Sequence, residues 1–269
     1  MYDVAAIESA FARSMYSGNF HYTAATGSTN TDALEAARAG APHGSVFFTD
    51  EQTAGRGRGD HSWHSAAGQG LYVSVVLRPN IAVEHIPLIS LAAGLAAAQA
   101  IGITAGREVD LRWPNDLLIG DRKAGGILVE SKTEGGAPSF AVVGIGINVH
   151  QRSFDPDLST PPTSLDLESG RTISRHALLI SLLESLQHET WALQDPGLRA
   201  AITARVAYMS SWISNRRVEV HGPQECVGTT AGLDEHGFLL VRTDQGIVTV
   251  QTGGIRAARA DKEDHAPGS

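Results

Sequence analysis

The chain reads Glu51-Gln52-Thr53-Ala54-Gly55-Arg56-Gly57-Arg58-Gly59 between two runs with strand character, 45–49 and 71–77. A loop that alternates glycine with guanidinium is suited to wrapping an anion. Glycine lets the backbone come close to a ligand, and each arginine offers a planar fork of donors that matches carboxylate or phosphate. Alone, the segment reads equally well as a flexible arginine-rich loop or a nucleic-acid contact.

Composition narrows those choices. With 269 residues, 42% of them hydrophobic, and a net charge of −8, the chain can bury a large core. Its charge gives no general attraction to nucleic acid or an anionic membrane face, so the basic residues must act locally. Lysine occurs only at Lys123, Lys132 and Lys262, and Cys226 is the single cysteine. A lone cysteine cannot form an intramolecular disulfide and fits a reducing compartment. No secretory signal pattern opens the chain, and the expected location is the cytoplasm. The most apolar stretch, Ile86 to Ile103, is near the lower length limit for crossing a bilayer and reads as a core helix.

Periodicity places the motifs. Val4, Ile7, Phe11 and Met15 predict an N-terminal helix. Helices are predicted over 31–39, 86–103, 174–193 and 198–209, and strands over 20–25, 45–49, 71–77, 109–113, 117–119, 126–132 and 140–147. The proline-bearing stretch 151–167 reads as a loop. From Arg217 onward short alternating strands (218–220, 227–231, 238–241, 247–250) predict a small closed β-barrel. The fold class is therefore α/β (α+β), a central mixed sheet flanked by helices with a small C-terminal β-barrel. The expected division is 1–215, 216–260 and a disordered tail at 261–269.

Further motifs follow the arginine-glycine loop: Arg112-Trp113-Pro114-Asn115-Asp116, then Asp121-Arg122-Lys123-Ala124-Gly125-Gly126-Ile127-Leu128-Val129-Glu130, and Gly144-Ile145-Gly146-Ile147-Asn148-Val149. Gly27-Ser28-Thr29-Asn30 precedes it. In this order, and with Gly237-Phe238-Leu239-Leu240-Val241 near the end, the set resembles the biotin protein ligases over roughly residues 20–259. The form resembled is the monofunctional one, because too little chain precedes the motifs for a helix-turn-helix DNA-binding domain.

The resemblance implies a catalytic domain with an SH3-like C-terminal barrel, and a two-step reaction. Biotin and ATP, with Mg²⁺ mainly on the phosphates and Asp116 as the side chain expected beside it, give biotinyl-5'-AMP; the acyl group then passes to a lysine of a biotin carboxyl carrier domain, as in acetyl-CoA carboxylase. It implies that Ser28, Thr29, Asn30 and Gln52 hold the ureido ring and that Arg56, Gly57, Arg58 and Lys123 cover the carboxylate. Gly126, Gly144 and Gly146 would lie against the acyl chain. Arg56, Arg58, Trp63, Asn115, Lys123 and Asn148 would contact the nucleotide, and Lys123, Arg112, Asp116 and Arg58 would act in catalysis. Helix capping competes as a role for Ser28 to Asn30, and pairing with Asp110 or Asp116 as a role for Arg112.

Two departures from the family pattern stand out: Arg112 replaces the usual lysine, and Asp60-His61 replaces Gly-Arg. His61 and His64 have no third ligand at a metal-binding spacing. Alternatives are a lipoate or octanoate ligase or transferase, and a biotin-binding regulatory protein without catalysis. A monomer and a homodimer both remain open.

Overall fold

The structure, a computed structural model, describes residues 2–59, 61–156 and 158–258. Asp60 and the tail 261–269, read as departure and as disorder, lie outside the described residues. Among the described residues, one sheet is built from β1 (Phe20–Thr26), β2 (Val46–Gln52), β3 (Gly70–Leu77), β4 (Asp110–Arg112), β5 (Asp116–Ile119), β6 (Arg122–Glu134) and β7 (Ala137–Asn148). Their order is β1-β2-β3-β7-β6-β5-β4, with β1 and β2 parallel and every other pair antiparallel, so the sheet is mixed.

Helices α1 (Val4–Ala10), α2 (Thr29–Arg38), α3 (Ile86–Ala105), α4 (Leu165–Ser169), α5 (Arg175–Gln194) and α6 (Pro196–Met209) accompany it. A second sheet follows, from β8 (Ser214–His221), β9 (Cys226–Leu233), β10 (Leu239–Thr243), β11 (Gly246–Val250) and β12 (Gly254–Ala257), antiparallel in the order β11-β10-β9-β8-β12. This is the β-rich C-terminal part expected of an SH3-like fold.

Strand alternation decides which residues face the core. Register sets Tyr72 opposite Gly146 and Gly146 opposite Gly126, with Ser74, Gly144 and Leu128 in the next row. Residues two apart share a face, so these rows lie on one side of the sheet. The intervening Val73, Ile145 and Ile127 belong to the main core cluster, with Leu88, Leu95 and Leu182 of α3 and α5. On the first side, α2 covers one end through Ala33, Leu34 and Ala37 against Val76, Phe140 and Val142. The other end of that face stays uncovered by helix, and the glycine rows form a floor there.

Helix α3 is apolar all round, as a helix buried on several sides must be. Val83–Ala105 is the one helical stretch among the described residues long and apolar enough to cross a membrane by length and composition, and 67% of its most apolar 18-residue window is buried.

Three expectations need correction. The N-terminal helix stops at Ala10 rather than Met15; Phe11 and Tyr16 stay buried through turns, and the Tyr16 hydroxyl donates to the Leu183 carbonyl at 2.8 Å. The segment read wholly as loop contains α4, whose N-cap Ser164 accepts from the Leu167 N–H. Strand β12 lacked any periodic signal, and four residues forming one antiparallel ladder with β8 suffice for it.

Candidate active site

The cleft above the glycine floor has a volume of about 1180 Å³ and is lined by every site residue inferred from the sequence, from Ser28 to Asn148. One end is neutral and hydrogen-bonding, and the other is cationic.

At the neutral end, α2 packs through its apolar face and leaves its N-terminus in the cleft. Ser28 occupies the N-cap position and is 3% exposed, yet its side chain makes no capping bond. Capping does not explain it. Thr29 donates to Gln52 Oε1 from its backbone N–H at 2.9 Å and from its hydroxyl at 3.1 Å, and Gln52 Nε2 donates to Ser65 Oγ at 2.7 Å. The Thr29 and Ser74 hydroxyls lie 2.8 Å apart, Ser74 Oγ donates to Asn30 Oδ1 at 2.9 Å, and Asn30 Nδ2 donates to Glu130 Oε2 at 2.7 Å. Buried polar groups linked in this way are held in one orientation.

At the cationic end, Asp116 stands between two positive side chains. Lys123 Nζ is 2.5 Å from its Oδ1, while Arg112 reaches Oδ2 from NH2 at 2.5 Å and from Nε at 3.0 Å. Burial pushes the Asp116 carboxyl up, but Lys123 and Arg112 together outweigh it and hold it below the ordinary carboxylate value. Arg112 also donates to Thr160 Oγ1 at 2.8 Å and lies 5.2 Å from the ring centre of Trp212. Of its two candidate partners it takes Asp116; Asp110 instead accepts from Ser211.

The arginine-glycine loop joins the two ends. Arg56 grips Glu130 with both terminal nitrogens, at 2.9 and 2.8 Å. Arg58 points the other way, donating to the Gly253 carbonyl and to Thr252 Oγ1 in the turn before β12. Trp63 lies over the floor: a Cβ on Gly146 would come within 2.5 Å of its Nε1. Its indole N–H is buried without a partner, and Lys123 Nζ is 5.6 Å from the ring centre.

Two profiles of known families match. Residues 22–148 fit the Biotin/lipoate A/B protein ligase family, and 213–255 fit the Biotin protein ligase C terminal domain. The Biotin--[acetyl-CoA-carboxylase] ligase of Mycobacterium tuberculosis is 34% identical over 241 residues, covering 86% of this chain and 86% of that protein. The Bifunctional ligase/repressor BirA of Bacillus spizizenii is also 34% identical, covering 85% of this chain and 70% of that protein. The chain belongs to the biotin protein ligase family. A solved structure of the Aquifex aeolicus biotin protein ligase in complex with biotin and ATP superposes with a TM-score of 0.77, at 26% identity, covering 90% of this chain and 100% of that one.

Within this biotin protein ligase fold, several inferred residues have protein partners of their own. Asn115 donates from Nδ2 to the Ile127 carbonyl at 2.7 Å, which ties its turn to β6. Asn148 is buried, donating to the Thr163 carbonyl and accepting from Gln151. Gly125, the neighbour of Gly126 in the same motif, faces away from the cleft: a Cβ there would meet the Gly146 carbonyl oxygen at 2.8 Å and Leu117 at 2.9 Å. Ser65, Ser74, Glu130, Trp212 and Thr252 escaped sequence reasoning.

No group of three or more His, Cys, Asp or Glu side chains suited to a metal ion occurs among the described residues. Both Asp116 oxygens are already taken by cations. A magnesium ion held mainly by protein therefore does not fit this site.

Proposed function

We propose that the cleft activates biotin with ATP as biotinyl-5'-AMP and delivers the acyl group to a lysine of a biotin carboxyl carrier domain. The observation that carries this reading is the meeting, in one cleft, of an uncharged donor-acceptor network with a paired-cation end. A cyclic urea needs neutral donors and acceptors, whereas a carboxylate and an α-phosphate need fixed positive charge. The apolar slot that a lipoyl or octanoyl group would prefer is replaced at the first end by Ser28, Thr29, Asn30 and Gln52.

In the first step the biotin carboxylate oxygen bonds to the α-phosphorus and pyrophosphate departs. Lys123 and Arg58 offset the charge gathered on the phosphoryl oxygens. Asp116, with its carboxyl held low, is a poor proton acceptor and serves to aim Lys123 and Arg112. Magnesium would enter on the nucleotide's own phosphates. In the second step the carrier's lysine nitrogen bonds to the acyl carbon, AMP leaves and the amine proton is lost. Trp63, Asn115 and Asn148 line the nucleotide side, and the described residues from 216 to 258 belong to the accessory domain whose turn receives Arg58.

Pyrophosphate release measured with biotin, ATP, both and neither tests the first step. Release that needs both is expected, followed by a biotinyl mass gain on an added carrier domain; release without biotin, or none with both, would overturn the reading. A gel-shift with operator-like DNA is expected to show no binding at physiological salt, in keeping with the net charge of −8.

A further inference from the structure

We propose that Glu130 is a positioning residue: it pins Arg56 to β6 and sets the amide of Asn30, so that Arg56 is the post of the loop and Arg58 its moving arm. The inference deepens the proposed function and rests on it for the identity of the ligand.

A carboxylate is out of place in a cleft meant for two anions unless its charge is cancelled and its oxygens are occupied. Both conditions hold for Glu130. Oε1 accepts from Arg56 NH2, and Oε2 accepts from Arg56 NH1 and from Asn30 Nδ2. Its position follows from register. Glu130 is two residues beyond Leu128, whose partner Gly144 lies beneath Asn30; a Cβ on Gly144 would sit 2.3 Å from Asn30 Oδ1. One side chain thus joins the helix that offers neutral recognition groups to the loop that offers charge.

Ordinary partly exposed ion pairs contribute little. Here the fork-to-carboxylate geometry is bidentate, and the shared oxygen couples a third group. With Asn30 Nδ2 turned to Glu130 and Oδ1 to Ser74, the amide can take one orientation only. With Arg56 spent on Glu130, the guanidinium free to exchange its partners for ligand oxygens is that of Arg58, whose acceptors are a carbonyl and a hydroxyl rather than a carboxylate.

The test uses the full chain as Glu130→Ala, Glu130→Gln, Arg56→Ala and the double Glu130→Ala/Arg56→Ala, with unchanged circular dichroism as the control for folding. Two quantities are read: the rate of tryptic cleavage after Arg58, and the KM for biotin and kcat in pyrophosphate release. For Glu130→Ala, cleavage is expected to rise and KM to rise about tenfold, with kcat changed by less than about twofold. Glu130→Gln should fall between it and the wild type, and carries the test if the alanine variant does not fold. In the double variant cleavage should match that of either single change, because both remove one contact. Unchanged cleavage, fully additive effects, or a fall in kcat at constant KM would overturn the proposal. Failure of the wild-type chain to release pyrophosphate with biotin and ATP would instead strike the proposed function, leaving the cleavage cycle to decide the role of Glu130.

Discussion

Lys123 and Asp116 form a 2.5 Å ion pair across adjacent strands β6 and β5, at the cationic end of the cleft and beneath Trp63. The pair makes the ammonium group a fixed charge rather than a mobile one. Preorganised charge stabilises a developing anion at no cost of reorientation. Lys123→Ala is therefore expected to lower the adenylation rate by about 10²–10³-fold, the scale of losing one such donor. Pre-steady-state pyrophosphate release measures this, and an unaffected rate would remove Lys123 from the chemistry.

The same pair sets an acid limit to stability. The Asp116 carboxyl lies below its ordinary value in the folded chain, so its stabilising contribution is complete above the unfolded value, near pH 4 by the usual aspartate reference. It is lost as pH falls through the lower folded value. Wild type is expected to lose Tm below about pH 4 more steeply than Asp116→Asn, which has no carboxyl to protonate there. Equal acid slopes by calorimetry would show that Asp116 does not couple to folding.

Arg112 stands where the family usually has lysine, and its contacts say what each side chain can do. Nε and NH2 bracket one oxygen of Asp116, NH2 also reaches Thr160, and the guanidinium lies on Trp212, which Arg216 covers at 3.6 Å. Lysine would keep the charge and lose the fork and the stack. Arg112→Lys is expected to cost about 1–2 kcal/mol of stability from one hydrogen bond and one cation–π contact. Its adenylation rate should fall far less than that of Lys123→Ala. Urea unfolding beside the pyrophosphate assay separates the two effects.

Sequence and structure agree where a site residue belongs to a local cluster and part where it stands alone in a strand. Arg56 and Arg58, Ser28 to Asn30, and Arg112 to Asp116 sit in runs whose composition is unusual in itself. Ser74 is one small hydroxyl in an otherwise apolar strand, and Glu130 opens the polar run that ends β6, which is also how any half-exposed strand reads. Only the pairing of β3, β7 and β6 brings them beside Asn30, and register over long sequence separations is invisible to a local window. The same limit hid the facing of Gly125, which differs from Gly126 only by strand alternation. The helix α4 escaped because Pro161 and Pro162 announce a loop just before it.

That alternation separates the glycines by experiment. Gly144→Ala would press its Cβ against the Asn30 amide and displace a side chain of the binding network, whereas Gly125→Ala would meet the backbone oxygen of Gly146. Gly144→Ala is expected to abolish measurable biotin binding in a calorimeter while keeping Tm within a few degrees. Gly125→Ala is expected to lower stability by about 1–3 kcal/mol, the usual scale of overpacking, with biotin affinity preserved in the folded fraction. The reverse assignment would mean that the two strand faces have been exchanged.

Trp63 offers an optical report on the loop. Its indole covers Gly146 and approaches Gly126 on the floor expected to receive the acyl chain, with a buried N–H that has no acceptor. An unpaired buried donor is a cost that a ligand oxygen can remove. Biotin with a non-hydrolysable ATP analogue is therefore expected to shift the tryptophan emission. Trp63→Phe should abolish that shift, whereas Trp191→Phe, at an exposed position on α5, should leave it intact. Slower tryptic cleavage after Arg58 in the presence of both ligands would accompany the shift, because the loop cannot reach a protease while it covers the cleft. A shift that survives in Trp63→Phe would assign the signal to Trp113 or Trp212 and place the movement between the two sheets instead of in the loop.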